Sequence, residues 1–173
     1  MKKEISNSLN YIKTFLKWLI VANVVGLVGG LVGSLFHISV DLATDARVHN
    51  DWLLYLLPFG GVLIVVISKL CRAAGVMNTN KVIDAVRTNS EVPFIMAPLI
   101  FVSTVITHLF GGSVGREGAA LQLGGSIGYK IGKLFKLSNR DLHIVVMSGM
   151  SAVFTALFGT PLAATVFGIS RKF

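Results

Sequence analysis

Near the middle of the chain an arginine and a glutamate stand side by side in otherwise uncharged sequence: Gly115-Arg116-Glu117-Gly118, with 24 uncharged residues before Arg116 and 12 after Glu117. A charge in so apolar a run is costly unless it is solvated or paired. Two accounts are open. In the first, Arg116 snorkels to an interface and Glu117 pairs with it. In the second, Gly115 and Gly118 free the backbone to expose N–H groups at the start of a helix. The unpaired donors and the positive end of the helix dipole then make an anion site that needs no cationic side chain. Glu117 falls at that same terminus. Its carboxylate is itself an anion, able to occupy the site or to swing away when protonated or displaced, so one acid would compete with a bound ion and sense pH.

No other constellation competes with this one. His37, His49, His108 and His143 show no paired metal spacing, and no nucleophile stands with a base in a recognisable motif, so neither an enzyme nor a metal or other cofactor is expected. His108 and His143 read as interhelical hydrogen-bonding groups. The single Cys71 permits no internal disulfide.

The elements that must hold the pair in place are membrane helices. The chain has 173 residues, 53% hydrophobic and 14% charged, against about 25% charged in an ordinary soluble domain. Trp18–Val40, Trp52–Ser68, Val92–Gly115 and Leu142–Ser170 are 23, 17, 24 and 29 residues without a formal charge. Roughly 20 apolar residues cross a bilayer. The net charge of +8 does not imply nucleic acid, because the basic residues sit between and beside the apolar runs. Lys2, Lys3, Lys13 and Lys17 precede the first run, Lys69 and Arg72 follow the second, and Lys130, Lys133, Lys136 and Arg140 follow the pair. The loop between the first two runs carries Asp41, Asp45 and Asp51 against Arg47. The positive-inside bias places the N-terminus, the loop after Ser68 and the loop at 130–140 in the cytoplasm of a multi-pass protein, expected in a bacterial plasma membrane. The first apolar run is too long for a signal peptide and lacks a small-residue cleavage site.

Residues 11–40 read as one long helix, with Gly26, Gly29, Gly30 and Gly33 offering a small-residue contact face. A second helix covers 52–70, interrupted near its start by Pro58 and Gly60-Gly61. A short helix is expected after the Asn78-Thr79-Asn80 cluster, whose side chains can cap its first turn. A third long helix covers 93–110 and stops at Gly111-Gly112. Residues 117–133 form a helix with Gly124, Gly128 and Gly132 at four-residue spacing, which predicts close helix contact on one side. Gly159-Thr160-Pro161 divides the last apolar run into helices over 141–157 and 161–170. Helices broken within a membrane survive against protein or water, and in transporters they aim their termini at ions.

Gly115-Arg-Glu-Gly118, followed by Gln122 and Gly124-Gly125-Ser-Ile-Gly128, resembles the Gly-Lys/Arg-Glu-Gly-Pro signature of the CLC family of chloride channels and chloride/proton antiporters. Gly149-Met-Ser-Ala-Val-Phe154 and Phe158-Gly-Thr-Pro-Leu-Ala163 resemble the family's next two helices. The resemblance implies an all-α integral membrane protein, the first repeat of an inverted-repeat CLC-type fold with long tilted and short broken helices. It implies transport of a small anion, with chloride first and fluoride as the alternative, as a voltage-gated-type channel or an antiporter. A non-conducting assembly subunit is the rival from another class. By the same resemblance Glu117 is the gating glutamate, and backbone N–H groups at Gly115, Arg116, Gly118 and Ala119 face the anion.

The departures are specific. Ala119 replaces the signature proline. Val76-Met-Asn-Thr-Asn80 replaces the family's serine-bearing loop, so that Asn78 or Thr79 would supply the second anion contact. Ser170 and Arg171 stand where family antiporters carry the glutamate of the inward proton path. Residues 1–173 correspond to the N-terminal half alone. The expected partners are therefore the anion, the lipid bilayer, and either a homodimer mate or a complementing C-terminal half.

Overall fold

The computed structural model describes residues 2–71, 94–113 and 115–170. Asn78 and Thr79, together with the short helix expected after them, lie outside the described residues. The described elements run α1 (Lys2–Val48), a 3-10 helix (Asp51–Leu56), α2 (Leu57–Leu70), α3 (Met96–Leu109), α4 (Arg116–Leu134), α5 (Asn139–Phe158) and α6 (Pro161–Ser170). No strand occurs among them. Three helical stretches are long and apolar enough to cross a membrane, Tyr11–Val48, Asp51–Leu70 and Asn139–Phe158, and α3 is a shorter apolar helix.

α1 shows how one apolar sequence serves two environments. Phe36, Val40 and Ala43 recur at helical spacing and are buried, while Leu27, Leu31, Leu35, Ile38 and Leu42 recur on another face and are exposed. In a soluble helix that second stripe would be polar, so the exposed leucines mark contact with lipid or with further protein. Pro58 does not interrupt the second span as its position suggests. It sits in the first turn of α2, where a missing N–H costs nothing, and the six residues before it wind as the 3-10 helix.

α4 is the centre. Its apolar content is modest, yet residues from Ala119 to Gly132 are mostly buried, because α1, α3 and α5 pack around it. Contact with α5 is the most extensive in the fold. The two helices run antiparallel, and the glycine ridge explains their closeness. A Cβ on Gly128 would lie 2.6 Å from the Val145 carbonyl oxygen, and Cβ atoms on Gly124 and Gly149 would each collide with the other's carbonyl oxygen. The ridge expected at Gly124, Gly128 and Gly132 is thus a helix contact at every position, Gly132 meeting Leu142.

The glycines of α1 divide differently. Added Cβ atoms on Gly29 and Gly33 would lie 2.8 and 2.7 Å from the methyls of Ala152 and Ala156 on α5, whereas nothing lies within 4 Å of Gly26 or Gly30. Gly26 and Gly30 line a cavity of about 980 Å³ between α1, α5 and α6. The i, i+4 spacing thus serves two sides of α1, because Gly26 with Gly30 and Gly29 with Gly33 each lie within about 40° of one another around the helix while Gly29 and Gly30 lie about 100° apart.

The break between α5 and α6 is as the Gly-Thr-Pro sequence requires. Gly159 ends α5 in the left-handed region at φ 65°, its N–H donating to the Thr155 carbonyl, and Pro161 opens α6. α6 folds back on α5, where Ser151 Oγ donates to the Ala164 carbonyl at 2.9 Å and Phe154 stacks on Phe167.

Candidate functional site

Gly111 takes a positive φ of 81° immediately after α3, turning the chain toward α4. α4 then begins at Arg116 with Gly115 as its N-cap, at φ −58° and ψ 105°, and no side chain caps it. The Ala119 N–H closes the first turn onto the Gly115 carbonyl at a long 3.4 Å. The N–H groups of Arg116, Glu117 and Gly118 precede that first intrahelical bond and have no partner within the helix. Gly115 and Glu117 are exposed, Gly118 is half-buried and Ala119 is buried. The first turn of α4 is thus an open helix N-terminus with its far side packed into the core.

The two charged side chains part company at this turn. Arg116 Nη1 donates to Asp41 Oδ1 on α1 at 3.2 Å, its Nη2 reaches Thr44 Oγ1 at 3.5 Å, and its Nε reaches His108 Nε2 on α3 at 3.4 Å. Asp41 Oδ2 lies 3.3 Å from His37 Nε2, one turn earlier on the same helix. Glu117 makes no hydrogen bond or ion pair among the described residues. The alternative in which the arginine pairs with the adjacent glutamate is therefore not the arrangement adopted. Residues i and i+1 project about 100° apart on a helix, so Arg116 turns toward α1 and α3 while Glu117 turns outward.

His108 meets its expectation as an interhelical hydrogen-bonding group through Arg116. His143 lines the cavity between α1, α5 and α6 instead. Asp41, Thr44 and His37 were not legible as site residues. The only signal was an aspartate four residues after a histidine at the end of an apolar run, which is also what a solvated helix end looks like. No group of histidine, cysteine and acidic side chains suited to a metal ion occurs among the described residues.

An α-helical membrane fold built around a glycine-lined central helix, with that helix's uncapped N-terminus held open, defines a class of membrane protein organised around broken helices. Residues 59–171 match the family model for voltage gated chloride channels, and the chain belongs to that family. It is 38% identical over 154 residues to the chloride/fluoride channel protein of Pseudomonas syringae pv. tomato, covering 88% of this chain and 34% of that one. It is 27% identical over 189 residues to the H(+)/Cl(-) exchange transporter ClcA of Vibrio vulnificus, covering 98% of this chain and 40% of that one. Among solved structures it is similar to a CLC-type fluoride/proton antiporter, with a TM-score of 0.80 and 31% identity over 87% of this chain and 38% of the other. The chain spans between 34% and 40% of the length of these relatives.

Proposed function

We propose that the chain forms part of a CLC-type anion-transport protein and contributes one wall of its anion site. The observation that carries this is the α4 N-terminus, which is uncapped and open, with its basic side chain drawn away. The anion is held by backbone N–H groups at Gly115, Arg116 and Gly118, with Ala119 sharing its long first-turn bond, and Glu117 is the gate that competes for the same place. Asn78 or Thr79 supplies a second contact. Residues 1–173 act as the N-terminal half of a transport domain whose other half supplies the opposite wall of the site, with the N-terminus and the 130–140 loop in the cytoplasm.

Chloride is the first candidate substrate. Fluoride is the second, favoured by the names of the 38% identical channel protein and of the similar solved antiporter. Efflux from liposomes loaded in turn with each anion, with pH recorded in the same vesicles, separates chloride from fluoride and a channel from a proton-coupled exchanger. Equal leak of both anions in wild type and Glu117→Ala would favour the assembly-subunit alternative.

A further inference from the structure

The Arg116 guanidinium is reached from two other helices at once. Asp41 lies 75 residues away in sequence on α1, and His108 closes the last turn of α3. We propose that Asp41 and His108 are positioning residues for the α4 N-terminus: they draw the Arg116 guanidinium back between α1 and α3, so that the terminus presents backbone N–H groups and the Glu117 carboxylate without the Arg116 cation beside them. This rests on the anion-site function proposed for that terminus.

Arg116 is bonded directly to Glu117 and carries a full charge, whereas a helix N-terminus carries only about half of one. A free guanidinium at this point would tether Glu117 or hold an anion too firmly to release it. Asp41 supplies the counter-charge, and its second oxygen lies 3.3 Å from His37 Nε2. His108 supplies an uncharged acceptor. Its Nδ1 lies 2.9 Å from the Thr104 carbonyl, which can only accept, so Nδ1 carries the proton and Nε2 offers its lone pair to Arg116 Nε. That arrangement requires the neutral ring, since a proton on Nε2 would set donor against donor. Thr44 fits the same logic, donating to the Val40 carbonyl at 2.8 Å and leaving its oxygen lone pairs for Arg116. Among the described residues the titratable and charged groups meeting here are His37 and Asp41 from α1, His108 from α3, and Arg116 and Glu117 from α4 itself, with Arg47 of α1 packed against the Gly111 turn that leads into α4.

The test is anion flux from liposomes holding the protein in the assembly in which it is isolated, with histidine 15N spectra of the same samples. Asp41→Asn keeps the shape and removes the counter-charge. It should lower the half-saturating anion concentration about threefold or more and reduce maximal flux with it. The double variant Asp41→Asn/Arg116→Gln should return the half-saturating concentration toward wild type, because the released cation is what causes the change. His108→Gln, whose amide oxygen can replace Nε2 as acceptor, should stay close to wild type, whereas His108→Leu should follow Asp41→Asn. Unchanged half-saturation in Asp41→Asn, or no recovery in the double variant, overturns the proposal. If the wild type moves no anion even when reconstituted with the rest of its transport domain, and Glu117→Ala changes nothing there, the transport function itself fails. The His108 ring then decides: an Nδ1-protonated signature that shifts in Arg116→Gln supports the clamp, and one indifferent to that substitution overturns it.

Discussion

Glu117 and Arg116 are adjacent and opposite in charge, and the fold gives Arg116 partners on α1 and α3 while Glu117 has none among the described residues. A glutamate tied to Arg116 would be a structural ion pair with no reason to respond to external pH. An exposed Glu117 at an open helix terminus, with no partner among the described residues, is free to move. Glu117→Ala is therefore expected to weaken or abolish the dependence of anion flux on external pH, measured in the same liposomes as wild type. Full retention of that dependence would return Glu117 to the status of a surface acid. The Gly-Arg-Glu-Gly motif was legible because glycines around a charge in apolar sequence are a local pattern. The arginine's real counter-charge was not, since Asp41 shares no local pattern with Arg116.

At the scale of elements, the glycines do unequal work. Gly124 and Gly149 press backbone on backbone where α4 crosses α5, and no side chain is available to rearrange around an added methyl. Gly149→Ala should destabilise the protein by about 1–3 kcal/mol, read as a lower midpoint of thermal unfolding in detergent. Gly26→Ala is the internal comparison. Its Cβ meets nothing, and it should be neutral or stabilising by up to about 1 kcal/mol, through the better helix propensity of alanine. Equal effects at the two positions would mean that α4 and α5 are not in this contact. Gly159 carries a third kind of constraint. Its φ of 65° suits glycine, so Gly159→Ala should cost about 1 kcal/mol by strain alone, in the same unfolding assay.

The molecule as a whole exposes the α1 leucine stripe, the outer face of α6 at Leu162, Val166 and Ile169, and the cavity between α1, α5 and α6. Lipid can cover the stripes. The α4 N-terminus is a different matter, because an anion there needs donors on its far side as well, and the described residues supply one side. These residues reconstituted alone should give no anion-selective efflux by chloride electrode, and robust selective efflux would show that the chain needs nothing further. Orientation is a separate question. Lys136→Cys, in a background where Cys71 is replaced, should resist labelling from outside intact cells if the basic loop is cytoplasmic.

Composition and periodicity by themselves determined that the chain is helical and membrane-embedded, where the glycine ridge of α4 lies, that α5 breaks at Gly159-Thr160-Pro161, and that a helix begins beside Gly115. Each of these is a property of neighbouring residues, because helix length, capping, proline breaks and small-residue spacing act within a turn or two. Only the tertiary structure decided that Gly29 and Gly33 pack while Gly26 and Gly30 do not, that α4 is the helix wrapped by the others, and that Arg116 belongs to Asp41, Thr44 and His108. Those outcomes depend on which helices meet and at what rotation about their axes. That is fixed by the sum of contacts along α1, α3, α4 and α5, which no single segment of the sequence carries.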